Sequence, residues 1–263
     1  MKIAAIYRAE RYSPNSEEKD RLMMDAVVTL LKNGGHDVAC MHEDRCMIPH
    51  DAALCVTMSR SEEADRKILS AGVTSLNPAR SAVRCSKLNV QYVMRTNNIP
   101  MPPAEGTCGY WVKRGDLQPQ SRDDVVFADT QQDMEAAIRS FALRGIKDVV
   151  TEAHVEGDLV KFYAVEGTGF FRTYYPTDDG NFKFDNELKN GKAEHYRFDA
   201  GQLMDETMRL SRLLDTPVCG GDCIVRPDGS FAIIDFNDWP SFSRCRAEAA
   251  SAVVELINKK YLR

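Results

Sequence analysis

The chain has 263 residues, of which 43% are hydrophobic and 28% charged, and its formal net charge is −5. This composition is typical of a globular protein with room for two or three subdomains, and the negative balance argues against general binding to nucleic acid or membrane surfaces. No apolar run approaches transmembrane length, the N-terminus lacks the apolar segment of a signal peptide, and the eight cysteines show no zinc-type spacing. The sequence therefore predicts a cytoplasmic protein with reduced thiols.

Residues 1–78 alternate between predicted strands and helices. Strands are expected at residues 2–7, 37–41, 53–58 and 74–76, with helices at 17–33 and 61–71. This alternation predicts a parallel, Rossmann-like sheet, although no GxGxxG dinucleotide fingerprint follows the first strand. The loop that follows the first strand leaves its carboxyl end, where such sheets bind ligands. Arg8, Arg11 and Ser13 in this loop are therefore candidates for substrate contact, and an ordinary solvated loop is an equal alternative.

A small β–β–α–β unit is predicted over residues 105–155. A helix at 81–96 and a proline-rich segment precede it, so residues 79–104 are interpreted as a linker. The strands of the unit are expected at 110–113, 125–127 and 148–152, and its helix at 131–144. Prolines and glycines at both boundaries indicate a separate lid subdomain.

Residues 156–263 are predicted to form the remaining, C-terminal subdomain. Its expected elements are strands at 158–166 and 169–175, a polar connection at 176–197, and helices at 202–214 and 247–262. Between the two helices, the apolar runs 218–225 and 231–236 flank Pro227, Asp228 and Gly229, a turn signal that predicts a β-hairpin.

The hairpin carries three oxygen-bearing side chains, Asp222, Asp235 and Asn237. An even-numbered loop would place Asp222 directly opposite Asp235, whereas a three-residue loop with a bulge would separate them. Facing carboxylates repel each other unless a cation lies between them, and oxygen ligands of this kind suit Mg²⁺. The alternative is an exposed hairpin face on which the acids are solvated.

Two lysines and two acids indicate a nucleotide site. Lys87 and Lys113 offer positive charge to a polyphosphate. Glu152 lies at the end of a predicted strand and would accept a hydrogen bond from the adenine amino group, while the backbone of residues 153–155 pairs with the ring. Asp158, after a short turn, would accept from the ribose hydroxyls.

In this order and spacing, residues 77–245 resemble the ATP-grasp superfamily, most nearly its ribosomal-protein glutamate ligase and inositol trisphosphate kinase branches. The most specific part is GDCI at 221–224 together with IDFNDWPS at 234–241, which is similar to the magnesium signature of that superfamily. The resemblance implies an α/β to α+β architecture, in which a Rossmann-like pre-ATP-grasp domain is followed by a two-part ATP-grasp fold. It also implies ATP and Mg²⁺ as cofactors.

The resemblance assigns a role to each candidate residue. Mg²⁺ would be held by Asp222, Asp235 and Asn237, the phosphates would contact Lys87, Lys113 and Lys183, and adenine and ribose would contact Glu152, Val155 and Asp158.

The chain departs from the superfamily pattern at two places. Where a glycine-rich loop usually covers the phosphates, residues 114–129 contain only Gly115. Where some carboxylate–amine ligases have an arginine that grips substrate, this chain has Gly221. The possible replacements are Lys161, Arg172, Arg244 and Arg246, and the residues interpreted as catalytic are Lys183 and Arg244.

These features predict an ATP-dependent ligase that activates a small-molecule or peptide carboxylate as an acyl phosphate, which an amine or thiol then attacks. A kinase of the same superfamily that phosphorylates a hydroxyl is one alternative, and a nucleotide-binding module without turnover is another. No nucleic-acid or membrane partner is expected. The sequence indicates neither the identity of the acceptor nor the oligomeric state.

Overall fold

A computed structural model describes residues 1–13, 16–116, 119, 121–178 and 189–261. The chain begins with a parallel sheet of order β2-β1-β3-β4. Its elements are β1 (Lys2–Tyr7), α1 (Glu17–Asn33), β2 (Asp37–His42), β3 (Leu54–Thr57), α2 (Glu62–Ala71) and β4 (Ser75–Leu76). Alternate residues of β1 enter different cores, since Ile3 packs with α1 and Ile6 packs with α2. This two-sided burial explains why the strand is a continuous apolar run.

The helix predicted over residues 81–96 is interrupted. It consists of α3 (Ser81–Arg84) and α4 (Lys87–Thr96), and Ser86 between them has the extended backbone of a helix N-cap. Serine is favoured at that position, although the side chain of Ser86 makes no capping hydrogen bond here. The break places Lys87 on the first turn of α4.

The small unit contains a three-stranded antiparallel sheet of order β6-β5-β7. Its elements are β5 (Tyr110–Arg114), β6 (Val125–Ala128), α5 (Gln131–Leu143) and β7 (Val149–Ala153). Val112, Phe141 and Ile146 form its buried core. The predicted β–β–α–β succession of elements is therefore present, while the boundaries assigned to this subdomain stay predictions.

A second antiparallel sheet, of order β11-β10-β8-β9, forms the rest of the molecule. Its strands are β8 (Asp158–Val165), β9 (Phe170–Tyr174), β10 (Val218–Val225) and β11 (Phe231–Asp238), and its helices are α6 (Ala200–Leu214) and α7 (Arg246–Lys260). One face of the sheet packs with α4 and α6. The other face contributes Tyr163 and Val165 to a core shared with α1 and α7.

In the parts of the chain that the structure describes, every helix is too short or too polar to span a lipid bilayer.

Candidate active site

The β10–β11 hairpin places Asp222 opposite Asp235, although its turn has an odd number of residues. Arg226 and Ser230 are joined by a backbone hydrogen bond of 2.8 Å, which leaves three residues in the turn. From there the register runs regularly to the pair Cys223–Ile233 and then shifts, so that Asp222 pairs with Asp235. Ile234 is the extra residue of this β-bulge. It compensates for the odd number of residues in the turn, which alone would have placed the two acids out of register. The two acids therefore lie opposite each other, as expected of an even-numbered loop, but the hairpin has the three-residue turn and bulge that were expected to separate them.

The two facing carboxylates line a cavity of about 320 Å³, together with Asn237. Both are partly buried, with 22% of the Asp222 side chain and 24% of the Asp235 side chain exposed. Lys161 donates to Asp222 over 3.0 Å from the neighbouring strand β8, and Lys87 forms a salt bridge with Asp235 from α4. Each of the two facing acids therefore has an ammonium group beside it.

The surroundings of Asp235 keep its carboxylate ionised. Burial alone raises the pKa of Asp235, but the charge and hydrogen bond of Lys87 and the charge of Lys113 outweigh it, and Asn237 adds a hydrogen bond of 3.0 Å. The net effect holds the pKa of this carboxyl well below its usual range. An anionic oxygen ligand is therefore present at neutral pH.

The donor set fits a magnesium ion. Two carboxylates and one amide face the same cavity, and Mg²⁺ binds through one or two carboxylates while it keeps sites for phosphate and water. No group of three or more His, Cys, Asp and Glu side chains that could hold a metal ion occurs among the described residues. The fit therefore depends on Asp222, Asp235 and the amide of Asn237.

Lys113 joins the small sheet to the hairpin. Its ammonium group forms a salt bridge with Glu152 on β7 and donates to the carbonyl oxygen of Ile234 over 3.0 Å. The side chains of Lys113 and Glu152 are only 9% and 6% exposed, and both line the cavity. The bulged residue thus turns its carbonyl oxygen toward the lysine expected to contact phosphate.

The adenine-binding segment is only partly as expected. Val155 lines the cavity, but the backbone N–H groups of Ala153 and His154 already donate to Pro103 and Gly109 over 2.9 and 2.8 Å. The carbonyl oxygen of Val155 itself accepts from the side-chain amide of Asn190 over 3.1 Å, so the pairing of the ring with this segment remains a prediction.

Asp158 lies in a different environment from the one expected. It is buried, and its carboxylate accepts hydrogen bonds from the backbone N–H groups of Glu194 and Tyr196 over 2.7 and 2.8 Å. Asp158 is not one of the described residues that line the cavity. The ribose contact remains a prediction that this geometry does not support, and Asp158 instead fixes the segment that leads into α6.

Solved structures are similar to this chain in fold over 98–100% of its length. D-alanyl-alanine synthetase A from Vibrio cholerae is 11% identical with a TM-score of 0.69, and the match covers 100% of this chain and 99% of that chain. D-alanine–D-alanine ligase from Bacillus anthracis complexed with ATP is 12% identical with a TM-score of 0.65, over 100% and 98%. A RimK domain ATP-grasp protein from Sphaerobacter thermophilus is 15% identical with a TM-score of 0.63, over 98% and 100%.

The chain has an ATP-grasp fold. No protein family matches the sequence, and no curated protein does. The predicted α/β to α+β fold class is confirmed, and at these identities the likeness to the solved ATP-grasp structures concerns the fold alone.

Two of the residues predicted from the ATP-grasp resemblance do not help to define the site. Lys183 lies outside the described residues. Arg244 donates to the carbonyl oxygen of Tyr175 over 3.3 Å, lies over the ring of Tyr174, and is not among the described residues that line the cavity. Its catalytic role therefore remains a prediction that the geometry does not support.

A side chain does not fit at Gly221, the position at which some carboxylate–amine ligases of the ATP-grasp superfamily have an arginine. A Cβ atom at Gly221 would lie 2.1 Å from the carbonyl oxygen of Asp235 and 2.6 Å from the ring of Phe162. Of the four proposed substitutes, Lys161 lines the cavity, whereas Arg172 forms a salt bridge with Glu248 at 2.5 Å. Lys161 is therefore the substitute that the structure favours.

The parallel sheet contributes residues to the same cavity. Of the three candidates in the loop after β1, Arg8 and Ser13 line it, while Arg11 pairs with Asp44 at the surface. Arg60, after β3, also lines the cavity and was missed. Ligands bind beyond the carboxyl ends of parallel strands, so the position of Arg60 after a predicted strand could have identified this residue from the sequence.

Proposed function

We propose that this protein is an ATP- and Mg²⁺-dependent ligase, which activates a carboxylate as an acyl phosphate for attack by an amine or thiol. One observation carries the proposal. Lys87 of α4, Lys113 of β5 and the two hairpin acids converge on a single cavity from three parts of an ATP-grasp fold. Ligases among the similar structures support the reaction class, although the identity is low.

The lysines are proposed to bind the phosphates of ATP. In the structure each is paired with an acid, Lys87 with Asp235 and Lys113 with Glu152. Phosphate oxygens form strong charge-assisted hydrogen bonds with ammonium groups, so nucleotide binding would recruit both lysines. Glu152, released from Lys113, would then be available to accept a hydrogen bond from the adenine amino group beside Val155.

The metal is proposed to be held by Asp222, Asp235 and Asn237. A bound Mg²⁺ supplies positive charge that neutralises the phosphate oxygens. Lys161 is proposed to turn from Asp222 toward the substrate carboxylate when the metal binds, in the role that an arginine has elsewhere.

The chemistry needs no protein nucleophile. A carboxylate oxygen of the substrate attacks the γ-phosphorus of ATP, the bond to the bridging oxygen of ADP breaks, and an acyl phosphate forms. The amine or thiol then attacks the acyl carbon, and inorganic phosphate leaves. The protein contributes positioning, through Lys113 and Lys87, and exclusion of water from the acyl phosphate, through approach of the small sheet to the hairpin. The free thiols of all eight cysteines and the use of ATP fit a cytoplasmic enzyme.

The test is incubation of the protein with ATP, Mg²⁺ and pools of small carboxylic acids, peptides, amines and thiols, with analysis of the products by mass spectrometry. We expect ADP and inorganic phosphate in equal amounts, together with a product whose mass is the sum of the two substrates less one water. Phosphate that stays on a hydroxyl of the acceptor would identify a kinase instead. Intact ATP in every pool would identify a nucleotide-binding module.

A further inference from the structure

Three charged residues outside the nucleotide site lie at one edge of the parallel sheet. Arg8 follows β1, Glu43 follows β2 and Arg60 follows β3, so all three stand beyond the carboxyl ends of neighbouring strands. This is the edge at which parallel sheets bind ligands. The two arginines line the same cavity as the hairpin acids.

Glu43 holds the two arginine-bearing loops in place. Its side chain is fully buried, and one carboxylate oxygen accepts the backbone N–H groups of Arg60 and Ser61 over 2.8 and 3.0 Å. The other oxygen accepts the backbone N–H of Ala9. Because one buried carboxylate connects the residue after Arg8 with Arg60 itself, the two guanidinium groups are presented by a rigid frame.

Arg60 has hydrogen-bonding capacity that the described residues do not use. Its side chain is only 8% exposed, and its Nη2 contacts the carboxylate of Asp238 at 2.8 Å and the carbonyl oxygen of the same residue at 3.3 Å. Its Nε and Nη1 atoms are buried and have no hydrogen-bond partner within the described parts of the chain. A buried N–H without an acceptor is costly, and guanidinium forks match the geometry of oxyanions.

Arg8 adds a second positive charge to the same place. It donates to the carboxylate of Asp20 over 2.7 Å and to the carbonyl oxygens of Met58 and Trp239 over 3.0 and 3.1 Å. Burial, and then the charge of Arg60, lowers the pKa of Arg8. The two guanidinium groups therefore repel each other, Asp20 and Asp238 offset part of that repulsion, and an anion beside both groups would offset more of it.

The position of Arg60 sets its distance from the reacting groups. Its partner Asp238 lies three residues beyond Asp235 on β11, which corresponds to about 10 Å along an extended strand. A group bound at Arg60 would thus be several bonds away from a carboxylate that reacts beside Asp235.

We infer that Arg60, with Arg8, forms a subsite for a second oxyanion of the acceptor substrate, a carboxylate or a phosphate ester remote from the group that reacts. The inference rests on the proposed function, because it assigns the substrate class of the same cavity. It makes the acceptor a small acid with two anionic groups and excludes a neutral one.

Isothermal titration in the presence of ADP and Mg²⁺ tests the subsite with defined probes. Glutarate represents a carboxylate and glycerol 3-phosphate a phosphate ester, and glutaramide and glycerol are their uncharged counterparts. We expect at least one of the two anions to bind and neither uncharged compound to do so. Absence of binding by both anions, or equal binding of an anion and its uncharged counterpart, overturns the inference.

Substitutions at Arg60 locate the binding. Arg60→Gln is expected to weaken binding of the anion at least tenfold, about 1.4 kcal/mol, while thermal protection by ATP and Mg²⁺ is retained. Arg60→Lys keeps a charge beside Asp238, so it guards against a simple folding defect, and it should bind the anion with intermediate affinity. Arg66→Gln, on the exposed side of α2, is the matched control and should bind like the wild type.

The results separate this subsite from the nucleotide site. Unchanged anion binding in Arg60→Gln shows that the anion binds elsewhere and overturns the subsite, whatever ATP does. Loss of anion binding in that variant supports the subsite even if ATP fails to protect the wild type, in which case the proposed ligase function fails alone.

Discussion

Lys113 and Glu152 form a buried ion pair that makes each residue matter for stability as well as for nucleotide binding. Both side chains are less than a tenth exposed, so removal of one charge leaves the other without its partner in a poorly hydrated place. A loss of activity after a single substitution is therefore ambiguous unless folding is measured beside it.

Substitutions of this pair separate the two effects. We expect Lys113→Met to lower the free energy of unfolding by about 3 kcal/mol and to abolish thermal protection by ATP. The double variant Lys113→Met with Glu152→Gln should recover most of the stability, because no unpaired charge remains, but it should not recover the protection. Urea denaturation and thermal shift are the measurements, and Lys147→Met, exposed in the same unit, is the control. Protection by ATP in the double variant would contradict the phosphate role.

A second prediction concerns the hairpin acids. Asp235→Asn removes a charge and almost no volume, so we expect ATP turnover dependent on Mg²⁺ to fall by roughly a hundredfold or more. Circular dichroism should show an unchanged fold. Asp228→Asn, in the exposed turn of the same hairpin, should leave turnover close to that of the wild type. Wild-type activity of the Asp235 variant at low Mg²⁺ would remove this residue from the metal site.

At the scale of elements, the sequence predicted what local pattern controls. The alternation of strands and helices in residues 1–78 and the hairpin around Pro227 were both correct, because periodicity and turn chemistry are local properties. The break between α3 and α4 was not foreseen, and a bulge was considered only as an arrangement that would separate the two acids, because tertiary contacts select both features. The bulge in particular serves Lys113, which lies far away in sequence.

The candidate site residues also differ in whether local pattern or tertiary contacts determine them. Types and spacing located Asp222, Asp235 and Lys113 in one cavity. Burial and hydrogen bonding do not support the ribose contact predicted for Asp158, because its carboxylate accepts hydrogen bonds from the backbone instead. Arg60 was missed because no local motif marks it.

The loops at the edge of the parallel sheet give a prediction for an element rather than a side chain. Glu43→Gln replaces an acceptor of three backbone N–H groups with an amide that cannot match all of them. We expect it to lower the free energy of unfolding by about 2 kcal/mol in urea. Glu62→Gln, exposed on the first turn of α2, is the matched control. Equal stability of the Glu43 variant and the wild type would show that these loops are held by other contacts.

For the whole molecule, the distribution of thiols is a test of the packing. Cys40 and Cys108 are exposed and the other six cysteines are buried. Burial raises the pKa of Cys219 to about 12, so little reactive thiolate forms there at pH 8. We expect a thiol reagent to modify two residues quickly in the native protein and all eight in urea, as counted by mass spectrometry. Fast modification of three or more native thiols would contradict the packing.

Closure of the small sheet over the nucleotide is a second prediction for the whole molecule. Lys113 belongs to that sheet and the acids to the hairpin, so ATP would bridge them. We expect hydrogen exchange across residues 105–155 to slow when ATP and Mg²⁺ bind. Slower exchange in the hairpin with no change in this unit would show that the small sheet does not move as a lid.

The core shared by α1 and α7 has a consequence for how the protein is made. The ribosome releases α1 long before α7, which the described chain reaches only at residues 246–260. Until then Met23, Val27 and Leu31 lack the apolar side chains of Val253 and Ile257 that cover them in the finished molecule. The nascent N-terminal unit therefore exposes one apolar face until α7 has been made. If the ribosome stalls before α7, the incomplete chain keeps that face exposed and becomes a substrate for chaperones and proteases.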